Sequence, residues 1–189
     1  MIGYAFCGSF CTLSRSLAAM NTLISDGYDI LPIVSENVYK YDTRFFSARD
    51  FIDSVEKATG KEVIHTIVDA EPLGPKTKLD ALIIAPCSGN TLAKMALGIT
   101  DSSVSMAAKA HLRADRPTLI ALASNDSMSS NLKNIGTVLM RKSVYFVPML
   151  QDDPTNKPHS LVADFTKIPE CLLLALEKKQ PRPLFISKP

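Results

Sequence analysis

Ala81-Leu82-Ile83-Ile84-Ala85-Pro86-Cys87-Ser88-Gly89-Asn90-Thr91 joins an apolar run to a turn of small hydroxyl and amide residues. A short, uninterrupted apolar run fits a parallel strand covered on both faces. The Ser-Gly-Asn-Thr turn fits a helix start, where such side chains cap free backbone N–H groups. Leu92, Met95, Ala96 and Ile99 then recur at helical spacing. Strand, polar turn and helix in that order form half of a βαβ unit, and the same alternation extends in both directions along the chain.

Toward the N-terminus, Ile2 to Phe6 reads as a first strand, followed by a Cys7-Gly8-Ser9 turn and a helix carrying Leu13, Leu17, Met20 and Ile24, with Gly27 placed to stop it. Asp29 to Ser35 reads as a second strand. Ser47-x-x-Asp50 resembles a capping box opening a helix with Phe51, Ile52, Val55 and Ala58 on one face, ended by Gly60. A short element spans Val63 to Val68, and Glu71-Pro72-Leu73-Gly74-Pro75 imposes a rigid loop.

Toward the C-terminus, a helix covers Ser103 to Arg113, a strand Thr118 to Ala123, a further helix Leu132, Ile135 and Leu139, and the last strand Val144 to Met149. Residues 150–160 read as a polar loop and Pro169 to Lys179 as a terminal helix with lysines at its dipole-favoured end. The expected fold is a doubly wound α/β domain over 1–189, with a mostly parallel six-stranded sheet and helices on both faces. The segment 150–189 is expected to pack on that domain or on a neighbouring subunit.

Composition narrows the function. The 189 residues carry 21 Lys plus Arg against 19 Asp plus Glu, a net charge of +2, and the basic residues are dispersed. That excludes the footprint of a nucleic-acid binder. No apolar run approaches the ~20 residues that cross a bilayer, and no charged-then-apolar leader opens the chain, so a soluble cytoplasmic protein is expected. Cys7, Cys11, Cys87 and Cys171 lack metal-site spacing and read as free thiols. No metal is expected.

Four strand ends finish in small polar residues: Gly8-Ser9, Ser35, Ser88/Asn90/Thr91 and Ser124-Asn125. In open α/β sheets ligands bind beyond the carboxyl ends of the strands. Neither G-x-G-x-x-G nor a P-loop is present. A phosphate held by hydroxyls instead suits a mononucleotide such as a flavin.

Pro86-Cys87-Ser88-Gly89-Asn90-Thr91 through Gly98-Ile99-Thr100-Asp101 resembles the P-A-S-A-N-T…A-x-G-x-x-D motif of the homo-oligomeric flavin-containing cysteine decarboxylase superfamily. Ala123-Ser124-Asn125-Asp126-Ser127-Met128 is similar to its P-A-M-N-x-x-M motif. Thr43-Arg44-Phe45, Ala70 to Pro75, Ala107-Ala108-Lys109-Ala110 with Leu112-Arg113, and Gln151-Asp152-Asp153-Pro154 resemble one branch of it, the B subunits of dipicolinate synthase.

The resemblance implies a Rossmann-like flavoprotein fold. It implies FMN bound by Gly8, Ser9, Ser35, Pro86, Ser88, Asn90, Thr91, Asp101, Ser102 and Ser124, with substrate near Asn125 and Met128. It further implies a homotrimer or dodecamer, an A subunit supplying NAD(P), and oxidation of a cyclic hydroxy-tetrahydrodipicolinate to pyridine-2,6-dicarboxylate in the mother cell of an endospore former. The alternatives are a decarboxylase of the phosphopantothenoylcysteine type and a non-catalytic nucleotide-binding scaffold. The catalytic His of the decarboxylases has no counterpart, because Glu71-Pro72-Leu73 stands in that stretch.

From residue chemistry, a dicarboxylate calls for arginines, whose planar fork binds carboxylates bidentately. Arg44 and Arg113 are the candidates. Glu71 is the candidate proton-transfer group, and the resemblance adds Asn125 as the other candidate catalytic residue. Cys87, although placed at a helix start, reads as a packing residue.

Overall fold

The computed structural model describes residues 1–74 and 76–187, so Pro75 of the expected rigid loop lies outside the described residues. In chain order the strands are β1 (Ile2–Phe6), β2 (Ile30–Val34), β3 (Ala81–Cys87), β4 (Thr118–Ser124), β5 (Val144–Phe146), β6 (Met149–Leu150) and β7 (Leu161–Ala163). The helices are α1 (Leu13–Ser25), α2 (Glu36–Lys40), α3 (Ala48–Thr59), α4 (Ile67–Ala70), α5 (Gly89–Leu97), α6 (Ser103–Leu112), α7 (Leu132–Leu139) and α8 (Ile168–Leu176).

The sheet runs β2-β1-β3-β4-β7-β6, with β5 also paired to β4. β1 pairs in parallel with β2 and β3, as does β4 with β3 and β5, whereas β7 is antiparallel to both β4 and β6. The chain leaves β1 toward β2 and returns to β3 on the other side. The crevice between the ends of β1 and β3 is therefore a topological switch point.

Alternation along the strands divides the core. Tyr4 and Phe6 of β1 and Ile83 and Ala85 of β3 face one cluster, with Met20 and Leu23 of α1, Phe51 and Val55 of α3, and Ile168 and Leu172 of α8. Ala5, Cys7, Leu82 and Ile84 face the other, with Leu92 of α5, Val104 and Ala107 of α6, and Val138 of α7. Ala85 and Cys87 lie on opposite faces although two residues apart, because the register of β3 against β4 shifts between Ile84 and Cys87. The terminal helix α8 thus packs on its own sheet.

Two expectations are corrected. The sheet has seven strands, because β6 and β7 replace the far end of the expected last strand and part of the expected loop region. β5 stops at Phe146, after which Val147 donates its N–H to Ile120 and Pro148 turns the chain into β6. The short element expected at Val63 to Val68 divides into a single bridge from Ile64 to Ile33 and the start of the helix α4 at Ile67. The Ser47 cap is realised, its hydroxyl accepting from the Asp50 N–H at 3.1 Å, and Gly60 closes α3 in the left-handed region at φ 67°.

A candidate flavin cleft at the carboxyl edge of the sheet

Beyond the ends of β1, β2, β3 and β4 lies one cleft in two connected parts sharing Gly8, Ser88 and Asn90. The smaller part, about 230 Å³, is lined by Ser35, Glu36, Asn37, Thr91, Lys94, Asp101 and Ser102 as well as the shared residues. The larger, about 470 Å³, adds Ser9, Phe10, Arg15, Arg44, Phe45, Ser124, Asn125 and Asp126. Asp152, Lys157 and Val162, from β7 and the loop before it, close its far wall.

The smaller part is built from helix caps. Ser88 caps α5, its hydroxyl accepting from the Thr91 N–H at 3.2 Å and lying 3.1 Å from the Thr91 hydroxyl. Ser102 caps α6 in a reciprocal box with Ser105. Lys94 pairs with Asp101 at 2.8 Å, and this hydrogen-bonded ammonium holds the Asp101 carboxyl below the usual range. Ser35 differs from these: its hydroxyl oxygen is buried and has no hydrogen-bond partner. A buried hydroxyl left unpaired costs free energy, and this one lies on a cavity the size of a phosphate with part of a ribityl chain. The residues therefore fit a flavin mononucleotide phosphate end, with Ser35 supplying an uncommitted donor.

The larger part carries charge. The Arg15 guanidinium lies over the Phe165 ring at 5.5 Å and that of Arg44 over Phe45 at 4.9 Å, and neither has a carboxylate partner among the described residues. Aromatic rings hold both arginines without neutralising them. Asp152 faces Lys157 at 3.3 Å and accepts from Ser160 at 2.9 Å. Partial burial opposes its ionisation, but these hydrogen bonds outweigh that and leave its carboxyl below the usual range.

Asp126 sits otherwise. It accepts from the Ser124 hydroxyl at 2.5 Å on one oxygen and from the Asn131 amide at 2.8 Å on the other. Asn134 donates to the Asn131 carbonyl oxygen at 2.8 Å, which turns the Asn131 amide N–H toward Asp126. The network leaves no room at the start of α5, where a side chain on Gly89 would meet the Ser124 hydroxyl at 2.4 Å and Asp126 at 2.7 Å.

Of the expected site residues, Gly8, Ser9, Ser35, Ser88, Asn90, Thr91, Asp101, Ser102, Ser124, Asn125 and Arg44 line the cleft. Four do not. Arg113 follows the last residue of α6, whose first turn is at the cleft; ten residues at 1.5 Å rise put it about 15 Å away. It lines a separate hollow with Met95, Ile99 and Leu112. Glu71 is exposed and lines neither part of the cleft, because the loop after it is held on the distal half of α6: Gly74, at φ 115°, lies so close that an added Cβ would stand 2.4 Å from the Ala110 carbonyl oxygen. Met128 packs against the core and donates its N–H to His159 at 2.9 Å. Pro86 is buried behind the lining.

Arg15 and Asp126 escaped the sequence reading. Helical periodicity marks the apolar face of α1 but not which polar residue overlooks a neighbouring loop, and Asp126 lies within a turn whose side-chain directions depend on Asn131 and Asn134. Cys87 is buried, and desolvation pushes its thiol well above the ordinary range, as does that of Cys7, raised to about 11. Both are packing residues beneath the cleft. No histidine lines the cleft among the described residues: His111 is fully buried and His65 stacks on Tyr39 at 3.7 Å.

Comparison with known proteins agrees with this geometry. The Flavoprotein family model matches residues 1–168. The dipicolinate synthase B subunit of Bacillus subtilis (strain 168) is 38% identical over 186 residues, 98% of this chain and 93% of its own. The crystal structure of the dipicolinate synthase B subunit from Bacillus halodurans C superposes at a TM-score of 0.91 with 38% identity, covering 99% and 96% of the two chains. The FMN-dependent cysteine decarboxylase SpaF shares the fold at a TM-score of 0.66 and 22% identity, covering 92% and 95%. The chain thus belongs to the Flavoprotein family, on the branch of the dipicolinate synthase B subunits.

Proposed function

We propose that this chain is the FMN-binding B subunit of a dipicolinate synthase and takes part in converting a cyclic hydroxy-tetrahydrodipicolinate to pyridine-2,6-dicarboxylate. One observation carries the reading. A single cleft joins an end with an unpartnered buried hydroxyl, Ser35, to a wider end with two un-neutralised guanidinium groups, Arg15 and Arg44. The first end suits the phosphate of a mononucleotide, and the second suits a planar ligand bearing two carboxylates.

Ser35, Ser88, Asn90, Thr91 and Ser102 would hold the phosphate and ribityl end, and Gly8 leaves space for the chain to pass. When bound, the flavin supplies a hydride acceptor; the nicotinamide, NAD(P), enters through an A subunit. The chain's own residues orient the substrate carboxylates at Arg15 and Arg44 and keep Asn125 against the ring. Decarboxylation of the cysteine type is disfavoured by the absence of an imidazole among the described lining residues. A homotrimer or a larger assembly of trimers is part of this reading, as is action in the mother-cell cytoplasm.

The test is direct. The purified chain should show flavin absorption or acquire it from added FMN, heat denaturation should release a molecule of FMN mass, and pyridine-2,6-dicarboxylate should perturb the bound flavin spectrum. A chain that neither carries nor takes up FMN would overturn the reading.

A further inference from the structure

Forming a pyridine from a hydroxy-tetrahydropyridine with one ring C=N bond needs two more double bonds. One arises by loss of water and the other by loss of two hydrogens. Only the second needs an oxidant. We infer that Asp126 is the proton-transfer group for the loss of water, so that this chain carries out the dehydration that precedes oxidation. The inference rests on the function proposed above.

Two carboxylates, Asp126 and Asp152, line the larger part of the cleft among the described residues. Their surroundings separate them. Asp152 is compensated by the Lys157 ammonium at 3.3 Å, and its carboxyl lies below the usual range, which makes it a weak base. Among the described residues Asp126 is held by neutral donors, the Ser124 hydroxyl and the Asn131 amide. Such donors fix the position of a carboxylate without cancelling its charge, and each oxygen keeps a second acceptor position. Asn134 sets the Asn131 amide, so the relay is oriented from behind the cleft. Arg15 and Arg44 would hold the two substrate carboxylates, and Asn125, the residue before Asp126, lines the same part.

The step balances without an electron acceptor. An Asp126 oxygen takes a proton from the ring carbon next to the imine carbon, and the C–H electron pair becomes the C=C bond of an enamine. That pair then displaces the hydroxyl on the adjacent carbon. The proton held by Asp126 passes to the departing oxygen, which leaves as water. The product is a dihydropyridine dicarboxylate, and Asp126 is regenerated as a carboxylate. A class of dehydrogenation must consume this product, in keeping with a nicotinamide brought by a second subunit.

The experiment uses the FMN-loaded full chain, anaerobically in D2O, with hydroxy-tetrahydrodipicolinate in large excess over flavin and no nicotinamide. Turnover beyond one equivalent of flavin cannot be oxidation. Two signals are read: deuterium entering the carbon next to the imine, and growth of dihydropyridine absorption above the rate in buffer alone. The wild-type chain should accelerate both, and Asp126→Asn should slow both by at least ~100-fold, the scale of a lost general base, while FMN uptake and spectral perturbation by pyridine-2,6-dicarboxylate persist. If the wild-type chain binds FMN and the dicarboxylate but does not exceed the buffer rate, the dehydration role is overturned and the flavoprotein reading stands. If the chain neither carries nor takes up FMN, the proposed function falls and the dehydration role with it. Should Asp126→Asn fail to fold, Asp126→Glu decides: a folded variant at least ~10-fold slower supports the role, and an unchanged rate overturns it, as would loss of exchange in Asp152→Asn with Asp126→Asn unaffected.

Discussion

The Ser9 hydroxyl donates to the Ala123 carbonyl at 2.6 Å, tying the turn after β1 to the end of β4 across 114 residues of sequence. This bond commits a serine that the motif alone would assign to the phosphate. Ser9→Ala should therefore act mainly on stability, lowering it by about 1 kcal/mol through one lost hydrogen bond, while FMN affinity changes less than twofold. Urea denaturation and flavin titration on the same variant separate the two effects.

Ser35 should behave in the opposite way. Its hydroxyl has no partner to lose among the described residues. Ser35→Ala should leave the melting temperature unchanged or slightly raised and weaken FMN binding by roughly 10-fold, the scale of a hydrogen bond to a charged group. Fluorescence titration of apoprotein with FMN measures it. Equal affinity in the variant would remove Ser35 from the phosphate site.

Arg15 and Arg44 should each matter to the dicarboxylate and not to the flavin. Replacing either by Met keeps an unbranched apolar side chain and removes the guanidinium that lies over Phe165 or Phe45. Affinity for pyridine-2,6-dicarboxylate, read from the bound-flavin spectrum, should fall by ~10- to 100-fold in each variant, with FMN affinity unchanged. Arg113→Met should leave it unaltered, since that residue lines another hollow.

Gly89→Ala tests the crowding at the start of α5. Alanine is the better helix former, yet its Cβ would stand 2.4 Å from the Ser124 hydroxyl and 2.7 Å from the Asn131 amide. The clash should win, lowering stability by about 1–3 kcal/mol and disturbing the Asp126 relay. A chemical denaturation curve gives the sign: a more stable variant would show that this network yields freely.

Stability should also fall on mild acidification because of His111. Burial depresses its folded-state pKa, and its Nε2 lies 3.0 Å from the Pro117 carbonyl while Nδ1 has no partner. The unfolded chain therefore binds the proton more readily, so stability contributed by the neutral ring is present above the unfolded value of about 6.5 and is lost as pH drops below it. Urea midpoints should decline between pH 7.5 and 5, and by less in His111→Gln.

The parallel strands were readable because each is a buried apolar run closed by a polar turn, and the cap residues of α3 and α5 announced the helix starts, whereas the Ser102 cap of α6 emerges only from the structure. What sequence order conceals is which end of an element faces the ligand. Arg113 and Ser102 bracket one helix, and only Ser102 reaches the cleft. Glu71 stands just before Pro72 in a stretch that sequence marks as rigid, but the contact of Gly74 with Ala110 carries its loop elsewhere. β6 and β7 are two and three residues long, too short for a periodic signal, and their antiparallel pairing is set by long-range contact with β4.

That late pairing bears on how the protein comes to be made. By the time the ribosome has added Phe146, every parallel strand exists and both faces of the sheet have most of their cover. The cleft is still open along one side, because Asp152, Lys157 and Val162 have yet to emerge and Val162 must register against Ala123. A chain released up to β5 would hold the parallel strands with an unwalled cleft and without the cover of α8. Competence to retain its ligands therefore arrives only once residues 147–163 have been added, and truncations that remove this stretch should abolish binding while the parallel sheet remains.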